Sequence, residues 1–558
     1  MDPARWKGRA VYNSRALALC HYWVAFAAFL PAVLLGAWQM LMRSPLPAPL
    51  DDPDAYYASV TLHGTAMAYV VTTFFAMGFG YAVAATSLGR PVRGAVAAWF
   101  GFIICLVGTI MAVVTVLTGN ASVLYTFYPP LLASAWYYVG AFLLISGSMI
   151  WVVLMIVNMR AWKRDNAGRP VPLAMFAMTA TAMLWAWAAA GVLIELAGIL
   201  LPRAFGWSDL IDAALGRTLF SVTLHAIVYF WLMPAYIGFY TLLAEAAGSR
   251  LYSDTMGRLT FIMFLVFSLP VGMHHLLADP EYGSGFKFLQ SFLTFLVVLP
   301  TLLTVYSITA TLEIAGRVRG GRGLLGWIPA LPWHEPMVLA VGLSLVMLGL
   351  GGFGGLINMS YAMNAMIHNS SWVTAHFHLI FGGAVVIMYF AVAYEIWPRL
   401  TGKSLRSKRL ACWQLWLWFA GMLITTIPWH IAGLMGQPRR VAIFDYSIPM
   451  VARTGWLVVI STIGGFILLF SAILLIAILA RSHFGERSLI APLRYALAVN
   501  PPQQVPEALN SFGMWNAIVL VLMVAAYGYP VGQFFLLKSH SVPAVAVTSQ
   551  SSATIGAR

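Results

Sequence analysis

The sequence predicts an all-α integral membrane protein of about 13 transmembrane helices, and three features carry that expectation. Of 558 residues, 61% are hydrophobic and only 9% are charged, against about 25% charged in soluble domains. Apolar segments long enough to cross a hydrocarbon core of about 30 Å recur along the whole chain. The basic residues crowd into every second connecting loop.

The first segment, 17–41, has no small-residue cleavage site and is too long for a signal-peptide core, so it is read as a retained span. Segments 57–87, 93–117, 133–158, 173–201, 215–245, 257–277, 287–314, 336–357, 369–398, 410–434, 454–480 and 511–537 follow. With the N-terminus cytoplasmic, 23 of the 32 Lys and Arg residues fall inside, among them Arg5, Lys7, Arg9, Arg15, Arg160, Lys163, Arg164 and the run from Lys403 to Arg409. The opposite loops carry Asp51, Asp52, Asp54, Asp209, Asp212, Asp279 and Glu281. This positive-inside pattern accounts for the net charge of +14 without a nucleic-acid partner and puts the C-terminus outside. The expected location is a cytoplasmic membrane of prokaryotic type. Cys20, Cys105 and Cys412 are isolated and form no thiolate metal site. Residues 1–538 are expected to form one membrane domain, and 539–558 a disordered Ser/Thr/Ala-rich tail.

Histidines set this chain apart from an ordinary membrane bundle. His376-Phe377-His378 lies in an apolar segment, and two residues along an α-helix give about 200° of rotation for about 3 Å of rise. The two imidazoles would leave opposite sides of one helix at nearly one depth. Counting crossings puts His63, His225, His376 and His378 near the outer starts of their segments and His274-His275 near the outer end of theirs. Any one of them could be a packed histidine. Six at a common depth point to shared metal binding. Imidazole suits copper, zinc and iron, and Glu195, Glu313 and Glu395 all sit towards segment ends, away from a central iron–carboxylate site. Six imidazoles can be apportioned as two for a low-spin haem, one for a haem with an open face, and three for a copper.

The motifs T-L-H-G-T-A around His63, H-A-I-V-Y at 225–229, H-H at 274–275 and A-H-F-H at 375–378 resemble those of subunit I of the haem-copper oxidases, specifically the B-type cytochrome c oxidases. The resemblance covers most of the chain. It implies that the helices enclose two haems and one copper ion (CuB). His63 and His378 would ligate a low-spin haem of b or a type. His376 would ligate a high-spin haem of a or related type, and His225, His274 and His275 the copper. The activity implied is that of a terminal respiratory oxidase, a proton-translocating oxidoreductase that reduces O2 to water with four electrons. Tyr229, cross-linked to His225 in the family, would be catalytic with it and supply a proton and an electron. Residues four apart on a helix differ by only about 40°, so that geometry is open.

Tyr229, Tyr236 and Tyr240 fall on one helical face, and Thr301, Thr304 and Ser307 form a stripe on segment 287–314. By the resemblance, Tyr236, Tyr240, Thr301, Thr304 and Ser307 line a proton path; the plain alternative for the second stripe is bonding of each hydroxyl to its own helix. A-type relatives carry Glu in an H-P-E-V-Y motif where this chain has Ile227 and Val228, which favours the B type. Gln437-Pro438-Arg439-Arg440 breaks the charge rule outside, as a clamp for haem propionates would. Arg439, Arg440, His368 and Asn369 are the expected propionate contacts, with Asn364 standing where relatives often carry an acid.

Implied partners are a subunit II carrying the electron-entry copper centre, cytochrome c as donor, O2, the lipid bilayer and small single-helix subunits. Three alternatives stay open: a quinol oxidase, a nitric oxide reductase, and, from another class, a haem-handling membrane transporter. The last would need neither the adjacent His274-His275 pair nor Tyr229.

Overall fold

The computed structural model describes residues 9–50, 52–536 and 542–543. Its membrane elements are α1 (Arg9–Met42), α2 (Pro53–Ser87), α3 (Ala95–Leu117), α4 (Ala135–Asp165), α5 (Leu173–Ala204), α6 (Ala213–Thr241) and α7 (Asp254–Phe267). They continue as α8 (Ser284–Val318), α9 (Pro336–Met359), α10 (Ser371–Thr401), α11 (Lys408–Leu434), α12 (Gly455–His483) and α13 (Gly513–Leu536). Val542–Pro543 pairs antiparallel with Leu210–Ile211 in a two-residue ribbon. The rest of the expected tail, with Arg5, Lys7 and Asp51, lies outside the described residues.

Helix starts follow the capping chemistry of the sequence. Asp52, Asp212, Ser253 and Ser407 each accept a backbone N–H from the first turn of α2, α6, α7 and α11. Loop contacts sort into two ends, as alternate crossing requires. Tyr57, Tyr128 and Arg440 meet at one end. Lys163 with Glu507, and Arg258 with Val171, meet at the other. An interhelical hydrogen bond in lipid is worth only about 0.6 kcal/mol on average, so close packing has to hold the bundle together. Gly108 on α3 and Gly140 on α4 show how: a Cβ on Gly108 would lie 2.5 Å from the Gly140 carbonyl oxygen, and one on Gly140 2.6 Å from that of Gly108. Only glycine at both positions permits that seam.

Among the described residues, twelve helices are long and apolar enough to cross a membrane alone, against about 13 expected. The difference lies in segment 257–277. Its helix α7 has 14 residues, about 21 Å, and stops at Phe267. Pro270 has no N–H to continue it, and a Cβ at Gly272 would lie 1.8 Å from the Ser221 carbonyl oxygen. The chain then finishes as a 3-10 turn, Gly272–Leu276. Non-helical backbone at membrane depth must be satisfied by protein. Tyr527 of α13 does this, its hydroxyl accepting from the Gly272 N–H at 2.8 Å and donating to the Leu269 carbonyl at 2.9 Å.

Candidate metal centre

That turn is what brings two consecutive histidines to one site. On an α-helix His274 and His275 would diverge by about 100°; on the 3-10 turn their ring centres are 4.2 Å apart. His225 of α6 faces both, at 4.3 Å and 5.6 Å. One ring nitrogen from each of the three lies within 4.8 Å of the others. His274 Nδ1 is occupied by the Val271 carbonyl at 2.5 Å, with the Thr294 hydroxyl 3.1 Å away, so Nε2 is its free donor atom. The Nε2 atoms of His225 and His275 are buried without a hydrogen-bond partner among the described residues. Buried imidazole nitrogens without partners are costly unless they ligate. A three-nitrogen nest fits copper. The Tyr229 ring lies 4.9 Å from that of His225, one helical turn on.

His63 and His378 form a second pair, with ring centres 6.2 Å apart and planes within 18°. Their Nδ1 atoms are tied to the carbonyls of Ala32 and Thr374, both at 2.7 Å. A metal–imidazole bond of about 2 Å on each side, plus about 1.1 Å from each ring centre to its nitrogen, also gives about 6.2 Å. The spacing therefore fits an iron held between the two rings. His376 leaves α10 on another side. It stacks on Trp372 at 5.7 Å and abuts α9, where a Cβ on Gly354 would lie 2.3 Å from its Nδ1. From His378 onward α10 is π-helical to Val385, a distortion common at functional sites.

At the end of the bundle where Tyr57 and Tyr128 lie, the expected propionate residues come together. The Arg439 N–H donates to the Asn369 carbonyl at 3.1 Å, and Arg440 donates to the Tyr128 hydroxyl at 2.9 Å. The His368 Nδ1–H donates to Asn364 Oδ1 at 3.1 Å. Burial and then the charges of Arg439 and Arg440 pull the His368 pKa down to about 4, and burial with Arg440 pulls that of Arg439 to about 10. An anion there would relieve this crowding of positive charge.

On the opposite side of the site, Tyr240 shares hydrogen bonds with Thr260 (3.1 Å) and Thr304 (3.4 Å). Ser307 is buried beside it, and Thr301 faces Tyr236. Thr304 and Thr301 also bond back to their own helix, through the carbonyls of Pro300 and Val297, so both readings of that stripe are physically present. Among the described residues no hydrogen bond joins Tyr229 to Tyr236; both rings instead pack on Phe264.

Sequence reasoning missed Thr260 and Arg43. Arg43 is buried, donates to the Tyr56 hydroxyl at 3.0 Å and lies over the Trp429 and Phe444 rings, with no carboxylate partner among the described residues. As a lone cation in an acidic loop that the charge pattern assigns to the outside, it broke the charge rule just as Arg439 and Arg440 did. Thr260 offered no comparable signal, being one hydroxyl in an apolar helix.

Comparison with known proteins gives matches along nearly the whole chain. The sequence profile of the family described as "Cytochrome C and Quinol oxidase polypeptide I" matches residues 16–467. The chain is 36% identical over 547 residues to cytochrome c oxidase subunit 1 of Thermus thermophilus, covering 94% of this chain and 95% of that one. It is 28% identical over 469 residues to the heme-copper oxidase subunit I+III of Aeropyrum pernix, covering 80% of this chain and 54% of that one. A chain from a cryo-EM structure of a heme-copper terminal oxidase dimer superposes with a TM-score of 0.90 at 30% identity, covering 97% of this chain and 96% of that one.

Proposed function

Because the chain belongs to the family of cytochrome c and quinol oxidase subunit I, the catalytic subunit of haem-copper terminal oxidases, we propose that its metal centre carries out the four-electron reduction of O2 to water. The observation that supports this most is the three-imidazole nest with Tyr229 one turn from His225. His225, His274 and His275 would hold copper, His63 and His378 the low-spin haem of b or a type, and His376 the high-spin haem of a or related type. When bound, these groups supply oxygen binding and electron transfer.

The chain's own residues do the rest. Val271 and Thr294 fix the His274 ring so that Nε2 faces the nest, as an outer shell orients a ligand. Tyr229 sits beside His225 and holds a phenolic proton at the place where oxygen is reduced. Tyr236, Tyr240, Thr301, Thr304 and Ser307 form the proton path toward the inner face. Arg439, Arg440, His368 and Asn369 hold propionates at the outer face, with Arg43 a further cation beside the low-spin pair. Ile227 and Val228 leave α6 without the A-type acid, which supports the B-type assignment. The electrons come from cytochrome c through a copper-bearing subunit II, with quinol the alternative donor. The N-terminus is cytoplasmic and the C-terminus outside.

Metal analysis with reduced-minus-oxidised and carbon monoxide spectra tests the class. Two haems and one copper per chain are the expected result. Non-haem iron in place of copper would favour nitric oxide reduction instead. For the proton path, Thr304→Val removes the hydrogen-bonded link to Tyr240, worth about 1.4 kcal/mol, and should slow oxygen consumption about tenfold with unchanged haem spectra. Wild-type turnover in that variant would leave Thr304 as a helix-bonded hydroxyl only.

A further inference from the structure

Glu195 is a buried acid that the chemistry above leaves unused. Glu313 and Glu395 are paired, with Arg317 at 2.5 Å and Arg399 at 2.9 Å. Glu195 is 0% exposed, and neither of its oxygens has a hydrogen-bond partner among the described residues. It is not at a helix end, since α5 runs on past it to Ala204. A bare carboxylate is costly in such surroundings, so the acid form fits the site.

Two independent features tie Glu195 to the metal centre. Among the described residues, three helical stretches are π-helical. One begins three residues after His63 (Ala66–Val71), one begins at His378 itself (His378–Val385), and the third begins directly after Glu195 (Leu196–Leu200). Such bulges concentrate at functional sites, and the third has no assigned role. The second feature is a wedge one turn before Glu195. The Thr223 hydroxyl donates to the Ala188 carbonyl at 2.6 Å and accepts from the Val192 N–H at 2.8 Å, standing between the two groups that would bond each other in a regular helix. Thr223 lies two residues before His225 on α6, so a shift of that ligand helix acts directly on the backbone of α5.

The surroundings of Glu195 suit a proton rather than a charge. From α6 it meets Gly216, where a Cβ would lie 3.5 Å from Oε1, and Gly216 itself packs on Pro129 of the loop 118–134. Arg217, the nearest basic residue in sequence on α6, is engaged by Asp279 and Glu281. From α2 and α4 the titratable groups within electrostatic reach are Tyr69 and Tyr138. The Tyr138 hydroxyl accepts the Ala133 N–H at 3.0 Å. That of Tyr69 is buried without a hydrogen-bond partner among the described residues, its ring lying parallel to Phe127 of the outer loop.

We propose that Glu195 is a redox-linked proton site, separate from the Tyr240–Thr304 path. Its carboxylic O–H bond breaks and re-forms once per change of redox state at the metal centre. The proton passes to water at the loop 118–134, whose Pro129 packs on the same Gly216 that the acid meets, and returns by the same route, and no electron moves at Glu195. The proposal rests on the haem and copper reading only for the source of the redox change.

Redox-induced infrared difference spectra of the assembled oxidase, in H2O and D2O, test it. The expected result is a carboxylic C=O band that differs between oxidised and reduced enzyme, shifts in D2O, disappears in Glu195→Gln and moves in frequency in Glu195→Asp. Should the Gln variant fail to assemble, the Asp variant decides alone. A carboxylic region that is redox-silent, or the same in the variants as in wild type, overturns the proposal when the haem bands respond normally. Haem bands absent from the wild type would count against the metal-centre reading instead.

Discussion

His376→Ala is expected to remove the high-spin haem and with it the carbon monoxide difference spectrum, while the bis-histidine haem absorbs as in the wild type. The two imidazoles of His376-Phe377-His378 have separate surroundings, which is why the effects should separate. His378 is oriented by the Thr374 carbonyl and faces His63. The His376 ring is clamped between Trp372 and the Gly354 surface of α9. The neighbouring His430 belongs to another helix, α11, where it packs edge-on against Trp372 with its Nδ1 tied to the Thr426 carbonyl. Alanine removes the nitrogen donor and leaves a ring-sized gap, so added imidazole should restore part of the carbon monoxide signal. Gly354→Val tests the same position from the other side. Its Cβ would fall 2.3 Å from His376 Nδ1, so that variant should also lose high-spin haem. A carbon monoxide spectrum of wild-type amplitude in His376→Ala would place the ligand elsewhere.

The histidines that the structure brings together were legible in the sequence because the membrane makes ionisable side chains expensive and therefore conspicuous. Six histidines at one depth could be seen by counting crossings alone. The break in the seventh segment was less visible. Pro270 and Gly272 marked it, yet apolar content ran on to residue 277, and only the tertiary contact of Gly272 with Ser221 shows why the helix cannot continue. The roles of Arg43 and Thr223 were hidden for a related reason, although the charge of Arg43 was itself conspicuous. The partners of each lie far along the chain: the Pro438 carbonyl, 395 positions away in the loop after α11, for Arg43, and the backbone of α5 for Thr223. Glu195 was visible as an acid towards the end of segment 173–201, but neither its lack of a partner nor the π-helical turn that follows it has a signature in composition.

Tyr229→Phe is expected to lower oxygen consumption by at least about 100-fold, the usual contribution of a positioned proton donor, with both haems and the copper retained. Phenylalanine keeps the ring and its packing on Phe264 and His225, so the change is confined to one hydroxyl and, in the family's chemistry, to the cross-link that needs a phenol. Were Tyr229 only an aromatic packing residue, this substitution would be close to neutral, since it buries the same ring without its polar atom. The two roles therefore differ by two orders of magnitude in turnover, well beyond assay scatter. Metal content and the carbon monoxide spectrum separate loss of chemistry from loss of the site. A variant with full metal content and near-normal oxygen consumption would remove Tyr229 from the reaction. One with full metal content and collapsed turnover would leave the proton and electron of oxygen cleavage with this hydroxyl, one helical turn from His225.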